Sequence, residues 1–306
     1  MVKKPAPAID RARFAHLYPF RSNYFQVNGL KYHYLDEGWG DPIVMLHGNP
    51  TWSFYFRNLV TAFRRRYRVI VPDHMGCGLS AKPPLERYAY RLADRVADLA
   101  ALLKHLELDR PVTLVVHDWG GMIGLAWALD HLDQVARIVI TNTAGFFPPG
   151  GKGIPRRLRI IRKPHPLIEQ FVLRLNVFAR GALYMAPFRR LPVDVKAGLI
   201  APYNCPAHRL ATLKFVQDIP LGPMDPSGSI VARVERNLGR IGRRPVLLLW
   251  GARDFVFDRD YFANWRRVWP HAEAHWFAAA GHYLLEDVPE QIIDSVSAFL
   301  RNHPVG

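Results

Sequence analysis

The apolar and β-branched run Val112-Thr113-Leu114-Val115-Val116 leads into His117-Asp118-Trp119-Gly120-Gly121, and a helix-like stretch opens at Met122. A buried strand, a sharp turn and a helix with small residues beside the turn make a nucleophile elbow. In its usual G-x-S-x-G form the turn lifts a serine over the sheet. Asp118 holds the serine's place here. A carboxylate is already ionised at neutral pH and attacks directly, giving an ester or anhydride that must then break down. Asp is also a common helix N-cap, so the turn alone leaves both readings open and partners elsewhere in the chain must weigh between them.

The second half of such a reaction needs a group to manage protons, and an elbow fold supplies it in the chain order nucleophile, acid, His. Asp254 follows the apolar run Val246–Trp250 in Trp250-Gly251-Ala252-Arg253-Asp254, and His282 follows Phe277-Ala278-Ala279-Ala280-Gly281. In these positions Asp254 would orient His282 and stabilise its imidazolium, with His282 as general base. Of the 13 histidines, His47, His74 and His117 read as local structure around the site. Upstream, Val44-Met45-Leu46-His47-Gly48-Asn49-Pro50 closes the third strand, where the fold places its second oxyanion-hole donor. The backbone N–H groups of Asn49 and Trp119 would form that hole. Their side-chain N–H groups suit a leaving halide or a developing carboxylate, although Trp119 can also simply pack.

The elements that would position these residues alternate in type. Strands are expected at Leu30–Leu35, Ile43–Leu46, Val69–Val71, Val112–Val116, Ile138–Thr141, Val246–Trp250 and Ala274–Phe277, several as continuous apolar runs. Leu92, Val96, Leu99, Leu103 and Leu106 share one helix face, and Val288–Leu300 behaves similarly. After Thr141 the pattern breaks at Pro148, Pro149, Gly150, Gly151 and Gly153, and an Arg-rich, Pro-broken helical stretch runs to about Pro223. The expected architecture is α/β, a mostly parallel sheet with helices on both faces built from residues 1–144 and 224–306, with 145–223 inserted as a helical cap. The cleft between them is the default active site.

Composition bounds the rest. The 306 residues are 49% hydrophobic and 22% charged, which supports a packed core, allows one large α/β domain with an insertion or two smaller domains, and excludes a disulfide-stapled mini-protein. The two cysteines, Cys77 and Cys205, form no metal or disulfide framework, which fits a reducing cytoplasm. Met1–Asp10 carries charge but no apolar leader core, and no window is long and apolar enough to span a membrane. The formal charge is +15, with 32 arginines to 9 lysines, but no nucleic-acid motif accompanies it, so a nucleic-acid partner is not expected.

Three segments carry a resemblance: His47-Gly48-Asn49-Pro50-Thr51-Trp52-Ser53, Val71-Pro72-Asp73-His74-Met75-Gly76-Cys77-Gly78-Leu79-Ser80 and His117-Asp118-Trp119-Gly120-Gly121. They resemble the haloalkane dehalogenase group of the α/β-hydrolase superfamily over nearly the whole chain. Within that group, Tyr18-Pro19-Phe20-Arg21-Ser22, Tyr32–Gly38, His74–Gly78, Phe215–Leu221 and Trp250–Phe255 are most similar to the β-lactone decarboxylases of bacterial long-chain olefin biosynthesis. The resemblance implies attack by Asp118 on a cis-3,4-dialkyl β-lactone, with loss of carbon dioxide and a cis-alkene product, and with no metal or organic cofactor. The alternative is haloalkane hydrolysis on the same residues. Epoxide hydrolysis would need cap tyrosines, for which Tyr184 and Tyr203 are the candidates. A non-catalytic module of this fold typically lacks a triad member, and here none is missing.

Either substrate is apolar, and Leu167, Ile168, Phe171, Val172, Leu175, Phe178 and Leu183 are expected to line its pocket. From Gly145 to Pro192 there are ten basic residues against Glu169 alone. That excess is expected to dock another olefin-biosynthesis enzyme or an anionic membrane surface, unless it is only a solvated face.

Overall fold

The computed structural model describes residues 8–305, so Met1–Pro7, read above for a leader, lie outside the described residues. The chain builds an eight-stranded sheet in the order β1-β2-β4-β3-β5-β6-β7-β8, from β1 (Asn23–Val27), β2 (Leu30–Glu37), β3 (Pro42–Leu46), β4 (Arg68–Pro72), β5 (Val112–His117), β6 (Val135–Thr141), β7 (Val246–Gly251) and β8 (Glu273–Phe277). Pairs β1·β2 and β2·β4 are antiparallel and the rest are parallel. The seven expected strands are all present. The eighth, β1, was missed because its side chains alternate between half-buried and exposed at a sheet edge. Its cue is Asn28-Gly29, both at positive φ, the two-residue turn that joins it to β2.

Among the described residues twelve α-helices accompany the sheet: α1 (Arg57–Phe63), α2 (Leu92–His105), α3 (Trp119–Asp130), α4 (Arg156–Arg162), α5 (Pro166–Leu175), α6 (Val177–Met185), α7 (Val193–Ile200), α8 (Leu210–Gln217), α9 (Gly228–Ile241), α10 (Arg259–Val268), α11 (Leu284–Asp287) and α12 (Pro289–Asn302). Alternate strand residues serve two cores. Val44, Leu46, Leu114, Val116, Ile138, Ile140 and Leu248 pack with α2, α3 and α9 on one face. Ile43, Met45, Val69, Val115, Val139, Leu247 and Leu249 pack with α1 and α12 on the other. Each such fully buried side chain stabilises the fold by roughly 1.5–3 kcal/mol relative to exposure.

Both faces being covered explains why the central strands read as unbroken apolar runs. Helices α4 to α8 lie between β6 and β7, and α9 returns to pack on α3. Among the described residues no helix is long and apolar enough to cross a membrane.

Candidate active site

Strand β5 ends at His117 and α3 starts at Trp119, leaving Asp118 as the pivot at φ 50°, ψ −125°. A non-glycine residue at positive φ is strained, and hydrogen bonds over-determine the turn. The Asp118 N–H donates to Asn142 O at 3.2 Å, the Gly121 N–H donates to Asp118 O at 3.0 Å, and the Thr143 hydroxyl donates to that same carbonyl. Close approach explains two of the small residues. A Cβ on Gly120 would lie 2.0 Å from Leu46 O, and one on Gly48 would lie 2.0 Å from Asp118 Oδ1.

The Asp118 carboxylate is buried and receives two backbone donors, the Asn49 N–H at 2.8 Å on Oδ1 and the Trp119 N–H. The expected oxyanion-hole donors therefore hold the carboxylate itself. Burial pushes the Asp118 carboxyl above its ordinary range, and His282 with these two N–H groups pulls against that rise.

His282 Nε2 lies 3.6 Å from Asp118 Oδ2, and its Nδ1 is 2.8 Å from Asp254 Oδ2. An ionised carboxylate only accepts, so Nδ1 carries the proton and Nε2 faces Asp118. Burial alone would depress the imidazole, but its contacts with Asp254 and Asp118 outweigh this and hold it above the usual histidine range. Asp254 is fixed in turn. Its Oδ1 accepts from the Val256 N–H at 2.7 Å and the Phe257 N–H at 3.1 Å, and its Oδ2 also accepts from Asn142 Nδ2 at 2.8 Å.

Asn142 is the site residue that sequence reasoning missed. At the C-terminal end of β6, it reaches Asp254 and Gly251 O with its amide nitrogen and accepts the Gly251 N–H at 2.7 Å. The available cue was a polar Thr141-Asn142-Thr143 run where the strand beside the elbow ends.

The three other histidines near the elbow are structural, as expected. His47 donates from Nδ1 to Gly48 O and accepts the His74 N–H on Nε2, while His74 donates from Nε2 to His47 O. His117 donates from Nε2 to His282 O at 2.9 Å, steadying the segment that carries His282. Burial holds all three below the usual histidine range, hence neutral.

Asn49 Nδ2 donates to Thr212 O at 3.0 Å, which fixes the amide's orientation and leaves one N–H of that nitrogen over. Trp119 lines the cavity, and its indole N–H has no hydrogen-bond partner among the described residues.

Above Asp118 opens a cavity of about 210 Å³. Its floor is Asn49, Asp118, Trp119 and His282, and its walls include Phe146, Val216, Phe257 and Tyr283. Its roof comes from Ile154, Leu158 and Ile161 of the α4 region and from Val177, Phe178, Gly181, Ala182 and Met185 of α6. The expected lining is thus largely wrong. Phe178 is there, but Ile168 is not, Val172 and Leu183 are buried elsewhere, and Leu167, Phe171 and Leu175 face solvent. Helical spacing told which residues share a face, not which face turns inward. The tyrosines that epoxide hydrolysis would need are also misplaced: Tyr184 is exposed, Tyr203 is buried with its hydroxyl toward Thr51 O, and neither lines the cavity. Among the described residues no three His, Cys, Asp or Glu side chains are grouped to hold a metal ion.

Residues 41–289 match the family model for the alpha/beta hydrolase fold. The chain is 44% identical over 287 residues to a cis-3-alkyl-4-alkyloxetan-2-one decarboxylase of Shewanella oneidensis, covering 93% of this chain and 89% of the relative. It is 45% identical to a protein of the same name from Xanthomonas campestris, covering 90% of this chain and 94% of the relative. In three dimensions it is similar to the crystal structure of the haloalkane dehalogenase DbeA from Bradyrhizobium elkani, with TM-score 0.84, 25% identity, and coverage of 92% of this chain and 98% of that one.

Proposed function

Because the chain belongs to the alpha/beta hydrolase fold family, we propose that it is an enzyme of that family with Asp118 as nucleophile, which decarboxylates cis-3-alkyl-4-alkyloxetan-2-ones to cis-alkenes and carbon dioxide. One observation carries the reading: a strained, doubly hydrogen-bonded carboxylate faces a His held by Asp254, on the floor of an apolar cavity. The names of the relatives at 44% and 45% identity support the substrate class.

In the first step, an Asp118 oxygen forms a bond to the ring carbon that carries the lactone oxygen. The carbon–oxygen ring bond breaks and its electron pair becomes a free carboxylate on the neighbouring carbon, with ring strain as driving force. The remaining N–H of Asn49 and the indole N–H of Trp119 stabilise that carboxylate. In the second step, the carboxylate leaves as carbon dioxide, its bonding pair becomes the alkene, and the Asp118 carboxylate departs with its original oxygens. Backside displacement followed by anti elimination keeps the two alkyl groups cis. No water or external proton enters. The His282 imidazolium, oriented by Asp254, favours the return of negative charge to Asp118.

Residues 145–223 act in this reading as the cap over an apolar substrate, and the enzyme takes its place in cytoplasmic olefin biosynthesis after a reaction that closes the β-lactone ring. Nucleic acid has no part in it.

The test is to incubate the protein with a dissolved short-chain cis-3,4-dialkyl β-lactone and quantify cis-alkene by gas chromatography against Asp118→Ala. Alkene that depends on Asp118 supports the reading; none above that background overturns it. A second reading, haloalkane hydrolysis, is favoured by the same two side-chain donors at Asn49 and Trp119, which could seat a halide. It requires His282 to deliver water to the Asp118 ester. Single turnover in ¹⁸O-water would then label Asp118, whereas decarboxylation leaves the residue unlabelled.

A further inference from the structure

The residues displaced from the expected lining make a surface of their own. Leu167, Phe171 and Leu175 are 65%, 51% and 54% exposed, and their spacing of four puts them on one face of α5, with Val172 buried beneath. The stripe ends two residues before Val177, which is exposed at the cavity mouth together with Met185. Large apolar side chains in a row are unfavourable in water and mark a contact surface.

Charge says what the surface contacts. Of the ten basic residues between Gly145 and Pro192, Lys152 pairs with Asp258 and Asp260 and Arg162 with Asp225. Among the described residues the other eight have no carboxylate partner, and Arg156, Arg159, Lys163 and Arg174 stand exposed on α4, α5 and the turn between them. An apolar helix face bordered by unpaired cations matches the boundary between acyl chains and anionic headgroups.

We infer that the outer face of α4 and α5 seats the protein on an anionic lipid bilayer, with Leu167, Phe171 and Leu175 in the acyl boundary and the cavity mouth at the surface. The inference rests on the dialkyl lactone reading for its purpose, since a substrate with two long alkyl chains resides in membrane rather than in water. The binding itself is tested without substrate and stands or falls separately.

The full chain is floated with phosphatidylcholine vesicles and with vesicles that also contain phosphatidylglycerol. It should float with the anionic vesicles at low salt and remain behind with the neutral ones. Leu167→Ser/Phe171→Ser/Leu175→Ser should lower the partition coefficient at least about tenfold while leaving turnover of a dissolved short-chain substrate and the thermal melt unchanged. Arg156→Gln/Arg159→Gln/Lys163→Gln should lower it about a hundredfold, at about fivefold for each charge removed.

Failure to float at low salt overturns the inference. So does a serine variant that binds like the parent, because charge alone would then explain adsorption. A dimer in sedimentation velocity that the serine variant dissociates, without vesicle binding, would assign the stripe to a second copy of the chain instead.

Discussion

Asn142→Ala tests whether the residue that fastens Asp254 belongs to the catalytic apparatus. The substitution removes the Nδ2 donor 2.8 Å from Asp254 Oδ2 and the Oδ1 acceptor of the Gly251 N–H at 2.7 Å. A hydrogen bond to a charged group contributes about 1.5–3 kcal/mol, and a stranded buried N–H costs about 1–3 kcal/mol. Asn142 also sits at φ 34°, a region that Asn tolerates better than Ala. The expected destabilisation is therefore about 2.5–6 kcal/mol.

Asp254 would keep its Oδ1 donors from Val256 and Phe257 but lose the anchor on the oxygen that holds His282. A drop of about ten- to a hundredfold in kcat is expected, since a positioning shift of this kind is magnified in rate. Urea unfolding and alkene production, measured on the same preparation, separate the two effects. Lost stability with an unchanged kcat would make Asn142 a structural tie and refute the positioning role. Asn142→Asp supplies the sharper control. It sets a second carboxyl against Asp254, and one of the pair must then hold a proton. That proton can restore the missing donor only toward acid pH, so the variant's activity relative to the parent should rise as pH falls.

Two further outcomes follow from the geometry. In the decarboxylase reading Asp118 works ionised and His282 protonated, so kcat/KM should fall on the acid side as Asp118 takes a proton above the usual carboxylate value of about 4, and on the alkaline side as His282 loses one above about 6.5. A rate that instead climbs through the His282 titration would mean that the neutral imidazole is the working form, as water activation requires. Gly48→Ala should abolish activity and lower the melting temperature, because its Cβ would lie 2.0 Å from Asp118 Oδ1 and 2.3 Å from Asp118 Cβ, so that rotating the carboxylate does not relieve the clash and the turn itself must shift; a variant with parental kcat and melt would remove Gly48 from the constraints on Asp118.

The parts of the site that the sequence exposed are those fixed by topology. Asp118, Asp254 and His282 each stand just past a strand of a parallel sheet, and a parallel sheet brings its carboxyl ends to one edge. Reading the strands therefore brought these three residues to one place, as the structure has them. Asn142 stands at an equivalent strand end, but its partner is chosen by the lateral neighbour relation of β6 and β7, which no local pattern displays. The expected pocket lining failed for a different reason. In α5 the apolar residues at intervals of four face outward and Val172 alone is buried, so the usual rule that apolar faces turn inward misled where the surface itself is apolar. Strand β1 escaped notice because an edge strand with half its residues exposed carries a weak apolar signal.

In the proposed mechanism an ester on Asp118 has two competing fates, and the surroundings bear on which is faster. Hydrolysis needs a water beside a neutral His282. Decarboxylation needs only that the newly freed carboxylate be poorly solvated, since loss of carbon dioxide disperses its charge. The cavity walls above the ester are Phe146, Val216, Phe257 and Tyr283, with the Phe257 ring stacked 5.9 Å from that of His282. Such walls hold little water and leave the charge to a few fixed donors. Burial lowers the His282 imidazole and Asp254 raises it, while the raising contact with Asp118 lapses once that carboxylate is esterified; the imidazolium that Asp254 favours is unfit to take a proton from water. On this reading the same constellation hydrolyses an ester when His282 is neutral and expels carbon dioxide when Asp254 keeps His282 protonated.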